Sequence, residues 1–124
     1  MARPGLGTCT LALGIVLFLA RPPAAQSADD EALFRKNCQT CHSLAADGVQ
    51  RAGPSLERIL GREVGALPGF AYSEALKNAD FTWTAEALDA WLTDPQGYLP
   101  GTYMLYRQSD PEVRGAIIRY LQAQ

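Results

Sequence analysis

Two thiols and one imidazole stand together in the run Cys38-Gln39-Thr40-Cys41-His42, and His42 is the only histidine among the 124 residues. Cysteines three positions apart at a helix end lie on neighbouring turns, close enough to form thioethers with the two vinyl groups on one edge of a porphyrin. The imidazole that follows is then directed at the iron. The run reads as a c-type haem attachment site, with His42 the proximal ligand because no other imidazole is available. Two other chemistries use the same spacing. Cys-x-x-Cys also forms redox-active disulfides, but those sit at a strand-to-helix turn in chains patterned for a parallel sheet, and that patterning is absent. A zinc site needs a fourth ligand, and the only other cysteine, Cys9, lies in a segment expected to be removed.

Iron held by one histidine keeps a second axial position, and what fills it separates electron carriers from ligand-binding proteins. Met104 is the only methionine apart from Met1. It follows Leu99-Pro100-Gly101-Thr102-Tyr103, where proline and glycine mark a turn rather than a helical core stripe. A single methionine ordinarily fills a gap in a core. The turn-rich loop, the haem motif and the missing second histidine together favour a ligand role. A soft, neutral thioether favours ferrous iron, so His/Met ligation gives a relatively positive potential.

The elements that must position these residues are helical. Asp29 to Gln39 reads as a first helix, with Asp29, Asp30 and Glu31 at its positive end and Leu33, Phe34, Asn37, Cys38 and Cys41 along one side. The chain from Leu44 to Phe70 is rich in glycine and proline and wraps rather than packs as a long helix. A short helix is expected around Ser73 to Asn78. Thr84 then caps a segment carrying Leu88, Trp91 and Leu92, which Asp94-Pro95 ends. The last helix opens at Ser109-Asp110-Pro111-Glu112, a capping-box form, and bears Val113, Ala116, Ile117, Tyr120 and Leu121 as its apolar stripe. Period-two alternation is nowhere sustained, which predicts an all-α domain.

The N-terminal residues differ in character. Arg3 supplies a positive charge, Leu11 to Ala20 form an apolar run, and Arg21-Pro22-Pro23-Ala24-Ala25-Gln26-Ser27-Ala28 is small and proline-broken. This is expected to be a secretory signal peptide over residues 1–25, cleaved at about 25–28. The apolar run is shorter than the roughly 20 residues of a membrane-spanning helix. Residues 26–124 then form one small domain, whose core a bound haem would largely complete. With Arg3 and Arg21 removed, nine basic residues remain against 13 acidic ones, a net −4, which is not a nucleic-acid-binding balance.

The chain from about Phe34 to Leu121 resembles the class I cytochromes c, the mitochondrial proteins and their bacterial relatives. Besides the haem motif, the resemblance rests on Gly53-Pro54-Ser55-Leu56, Gly61-Arg62, Pro68-Gly69-Phe70-Ala71-Tyr72-Ser73, Thr82-Trp83, Asp94-Pro95 and Tyr98-Leu99-Pro100-Gly101-Thr102-Tyr103-Met104. It implies a small helical domain wrapped around one haem c, attached through Cys38 and Cys41 and ligated by His42 and Met104. By the same resemblance the Pro54 carbonyl accepts the second imidazole hydrogen bond, and Arg62, Tyr72 and Trp83 hydrogen-bond the propionates. Tyr98 and Thr102 surround the inner propionate and the methionine loop, and Phe34 meets Tyr120 between the first and last helices. Some positions depart from the family. Its usual helix-crossing glycine falls near Asp30, Tyr103 replaces a lysine, Tyr106 stands where an aromatic covers the haem edge, and only Lys36 and Lys77 remain of the lysine docking ring.

The function these features imply is a soluble, monomeric periplasmic carrier of single electrons that transforms no substrate. Its partners would be a bc-type complex or periplasmic dehydrogenase on one side, and a terminal oxidase, peroxidase or photosynthetic reaction centre on the other. The alternatives are a ligand-binding, sensor or weakly peroxidatic haem protein with a labile sixth ligand, and a dedicated electron-transfer subunit of one oxidoreductase.

Overall fold

The computed structural model describes residues 1, 23–45 and 51–124. Most of the expected signal peptide, with Cys9, lies outside the described residues. Among the described residues five helices appear in order: α1 (Pro23–Asn37), α2 (Glu74–Asn78), α3 (Ala85–Thr93), α4 (Pro95–Tyr98) and α5 (Pro111–Gln122). Among the described residues there is no strand, only an isolated antiparallel bridge between Glu63 and Thr82. None of these helices is long and apolar enough to cross a membrane.

Local capping chemistry explains most boundaries. The Ser73 hydroxyl accepts from Leu76 N, and the Thr84 hydroxyl accepts from Ala87 N at 3.1 Å, each satisfying an orphan amide of the first turn. α5 begins one residue later than the capping-box form implied. Asp110, not Ser109, is its N-cap and accepts from Glu112 N at 2.9 Å, because Pro111 takes the first helical position. α1 also differs from expectation. It starts at Pro23 and ends at Asn37, so Asp29, Asp30 and Glu31 fall inside the helix rather than at its positive end. Asp94-Pro95 does end α3, but the same proline opens the single turn of α4, which expectation lacked.

The core forms where α1 crosses α5. Phe34 and Ile117 are almost fully buried, and the Phe34 and Tyr120 rings lie 5.1 Å apart. Asp30 stands at this crossing as a buried carboxylate. Arg119 grips it with two bonds, Nε to Oδ2 at 2.9 Å and Nη2 to Oδ1 at 2.7 Å. A bidentate pair thus replaces the close approach that a glycine would permit. The two halves of the pair are unequal, since the Arg119 side chain is 56% exposed and that of Asp30 only 9%. Arg119→Ala strands a buried carboxylate and is expected to cost about 1–2 kcal/mol, after allowance for the exposed partner. Asp30→Ala releases an already hydrated arginine and is expected to cost less than half as much. Urea unfolding of both holoproteins measures this, and equal losses would remove the argument.

The wrapping segment is bound to the rest by backbone. Gly61 N donates to Trp83 O, Trp83 N to Arg62 O and Val64 N to Phe81 O, each at 2.9 Å. Trp83 then meets Phe81 and Trp91 edge-on, at 4.9 and 5.2 Å between centroids, and Tyr98 closes the group against Phe81 and Trp91. This aromatic cluster joins the wrap, α3 and α4 beneath the methionine loop.

Candidate functional site

The haem motif closes the end of α1. Cys38 N continues the helical ladder to Phe34 O at 2.8 Å, and His42 N returns to Cys38 O at 2.9 Å. Cys38 is buried, whereas Cys41, expected on the same apolar side, is exposed because the chain has already turned away from the helix. The two sulfurs are not joined in a disulfide. Burial first, and neighbouring Cys41 second, push the Cys38 thiol up to about 11, so it stays protonated at neutral pH.

His42 is held in one orientation. Its Nδ1 lies 2.8 Å from Pro54 O. A carbonyl only accepts, so Nδ1 carries the proton and Nε2 presents its lone pair. Burial lowers the His42 pKa against the smaller opposing effect of the Pro54 bond, which keeps the ring neutral, the form a metal needs. Gly53 makes this approach possible. A Cβ there would sit 2.5 Å from His42 Nδ1 and 2.7 Å from Nε2, with Cε1 closer still. Gly53 N also donates to Cys41 O at 2.7 Å, fastening the segment before Pro54 to the motif itself.

On the other side, α4 and the turn after it shape the methionine loop. Leu99 N bonds Pro95 O at 2.9 Å, and Gly101 supplies the positive φ of +91° that the turn requires. Tyr103 and Leu105 are 74% and 78% exposed, while Met104 between them is half-buried. The Met104 sulfur accepts a hydrogen bond from Trp91 Nε1 at 3.1 Å. The Gln96 amide donates to the carbonyls of Thr102 and Met104, at 2.7 and 3.2 Å, and so holds the loop backbone on both sides of Tyr103.

The residues expected at the propionates are placed less uniformly. Thr102 is buried, and its Oγ1 has no partner in the structure. Arg62 donates to Ser55 O at 2.8 Å and also to Glu57 O. Trp83 and Tyr98 belong to the aromatic cluster, and Tyr72 packs on Phe70 at 4.8 Å. No hydrogen bond links these five side chains to one another among the described residues.

Sequence reasoning missed three residues of this site. Trp91 was read as a core position, although a buried indole N–H needs an acceptor and a methionine 13 positions on was available. Gly53 was read only as part of a motif, and Gln96 carries no local signal at all.

The residues present fit a covalently held haem. Two unpaired thiols, an imidazole with a bare Nε2 and an inward thioether make a suitable donor set. The orphaned Thr102 hydroxyl is a buried donor that lacks an acceptor within the protein. Among the described residues no group of three or more His, Cys, Asp and Glu gathers to hold a metal ion directly, which leaves a zinc reading without ligands there.

In sequence and in fold the chain is similar to known proteins. A family model described as Cytochrome c matches residues 27–124. Cytochrome c2 of Blastochloris viridis is 40% identical over 85 residues, covering 68% of this chain and 67% of that protein. Cytochrome c of Chlamydomonas reinhardtii is 38% identical over 104 residues, covering 83% and 93%. Among solved structures, cytochrome cH from Methylobacterium extorquens superposes with a TM-score of 0.71 at 35% identity, covering 79% of this chain and 98% of that one.

Proposed function

The chain belongs to the cytochrome c family, and from that premise we propose that it carries single electrons between redox proteins of a bacterial periplasm, through one haem c attached at Cys38 and Cys41 and ligated by His42 and Met104. The family has the all-α class I fold and works by electron transfer at a covalently bound haem, whose iron supplies the one-electron chemistry. Residues 1–25 serve as the export signal and 26–124 as the carrier domain. Arg62, Tyr72, Trp83, Tyr98 and Thr102 line the propionate side in this reading, and Pro54 holds the His42 ring.

The observation that carries the proposal is the hydrogen bond from Trp91 Nε1 to Met104 Sδ. A carrier must change oxidation state with little rearrangement, which requires both axial donors to be fixed by the protein. His42 is fixed through Pro54, and Met104 is fixed at its sulfur by Trp91 and at its backbone by Gln96. A thioether has two lone pairs, so one can accept from the indole while the other is free to bind iron.

Surface charge bears on the partner. Arg35, Lys77 and Arg107 are each paired within the protein, with Glu31, Glu74 and Asp94 respectively. The carrier is taken as a monomer, and these exposed pairs cancel locally, which supports bc-type complex, dehydrogenase, oxidase, peroxidase or reaction-centre partners that recognise it without a dense acidic docking site.

An optical spectrum of the purified mature holoprotein, oxidised and then reduced, tests the proposal. We expect reversible one-electron cycling and, in the ferric state, the weak far-red band of a methionine sulfur on iron. Absence of the band together with ready carbon monoxide binding by the reduced protein would instead indicate an open-site sensor or catalyst.

A further inference from the structure

Tyr106, two residues beyond Met104, reaches back to the end of α1. Its hydroxyl lies 3.1 Å from Asn37 Oδ1, across 69 positions of sequence. The direction of each bond follows from its neighbours. Asn37 Nδ2 donates to Leu33 O at 2.7 Å, so Oδ1 is the accepting end and Tyr106 donates to it. Gln108 Nε2 donates to the Tyr106 oxygen at 2.9 Å, and Gln108 Oε1 accepts from Asp110 N at 3.0 Å. Backbone partners thereby fix the orientation of both amides, and the phenol between them both donates and accepts.

The far end of this relay is firmly held. Gln108 N donates to Leu92 O at 2.8 Å. Buried Arg114 donates to the carbonyls of Gln108 and Ser109, at 2.9 and 3.0 Å, while its Nε pairs with Asp89 at 2.7 Å. The near end is Asn37, the residue immediately before Cys38. The relay therefore joins the segment that leaves Met104, anchored on α3 and α5, to the helix end that delivers the two cysteines and His42.

We propose that Gln108, Tyr106 and Asn37 form a tie across the site, in which Tyr106 is a positioning residue that holds the Met104 segment closed and limits how readily a small neutral ligand displaces the methionine sulfur. The inference rests on the His42/Met104 reading. Among the described residues the hydrogen bond to the Met104 sulfur comes from Trp91 and not from the tie, which therefore acts on the backbone segment rather than on the thioether. Leu105, beside it, is exposed and contributes little burial to hold the segment in place.

Imidazole titration of the ferric holoprotein tests this, read by loss of the far-red sulfur band, with denaturant unfolding followed in parallel. Tyr106→Phe keeps the ring and removes only the hydroxyl. It is expected to bind imidazole about fivefold more tightly, the effect of one hydrogen bond, with global stability lowered by no more than that same factor. Asn37→Leu is expected to do the same, and the double variant to stay within about twofold of either single one, because both remove the same link. Wild-type affinity in Tyr106→Phe overturns the tie, as do independent, multiplying effects or a loss of global stability much larger than the gain in affinity. Absence of the sulfur band in the wild-type protein would show instead that the ligation reading beneath the proposal has failed.

Discussion

Replacing Met104 with leucine is expected to abolish the far-red band of the ferric protein and open the iron to carbon monoxide and imidazole. Leucine is the informative substitution because it keeps most of the volume. Met104→Ala removes the sulfur as well, but adds a cavity cost of about 2 kcal/mol or more, which would mix lost ligation with lost packing. If the methionine is dissociated in about 1% of wild-type molecules or fewer, removing it raises the apparent affinity for an external ligand about 100-fold or more. Trp91 provides a second signature. Its Nε1–H loses the Met104 sulfur as acceptor, an unpaired polar group worth about 1–3 kcal/mol when buried. Met104→Leu should therefore unfold at lower denaturant even though its apolar volume is preserved. Retention of the sulfur band in Met104→Leu would remove Met104 as the ligand.

Gly53→Ala is expected to be the most damaging one-methyl change outside the ligands themselves. The added Cβ occupies the His42 ring, and neither response is cheap. If the ring yields, the Nδ1 bond to Pro54 O is lost. If the backbone yields, the 2.7 Å bond from Gly53 N to Cys41 O breaks. Overpacking of this kind costs about 1–3 kcal/mol and the lost hydrogen bond about 1 more. Together these lower Tm by roughly 10–25 °C for a domain near 100 residues. The acid limb should move as well. The His42 pKa is lowered in the folded protein, so the unfolded chain binds the proton more readily. The contribution of neutral His42 to stability is therefore present above the unfolded pKa of about 6.5 and is lost as pH falls below it. A displaced, better hydrated ring has a folded pKa nearer its unfolded value, so the acid-dependent part of the stability loss should be smaller in Gly53→Ala than in the wild type. A thermal scan and an acid titration of the holoprotein check both effects. A Tm within 3 °C of wild type would show that the 52–54 segment shifts freely, contrary to the geometry.

What was legible in advance was local. Ser73 and Thr84 cap their helices because a side-chain oxygen reaches an amide three residues on, and the motif at Cys38 to His42 needs only one helical turn to bring its groups together. Where local signals competed, one of them misled. Ser109 and Glu112 have the spacing of a capping box, yet the proline between them selects Asp110 as the cap. The acidic run at Asp29 to Glu31 resembles a helix start, yet the alanines and proline before it extend the helix upstream.

The pairs that shape the site could not be read this way, because their members meet only when separate elements dock. Asp30 and Arg119 are 89 positions apart, and a buried carboxylate at a helix crossing looks like a defect until its arginine is in place. Asn37 and Tyr106 are 69 apart, and nothing in either residue type names the other. The sequence by itself determined the haem-attachment chemistry, the single available imidazole, the single downstream methionine and the all-helical plan, since each follows from residue type and short-range spacing. Only the tertiary structure decided that Gly53 yields its space to His42, that Trp91 holds the Met104 sulfur and that Tyr106 bonds the methionine segment to α1, because close approach and hydrogen-bond direction exist only once the helices and the wrapping segment pack against one another.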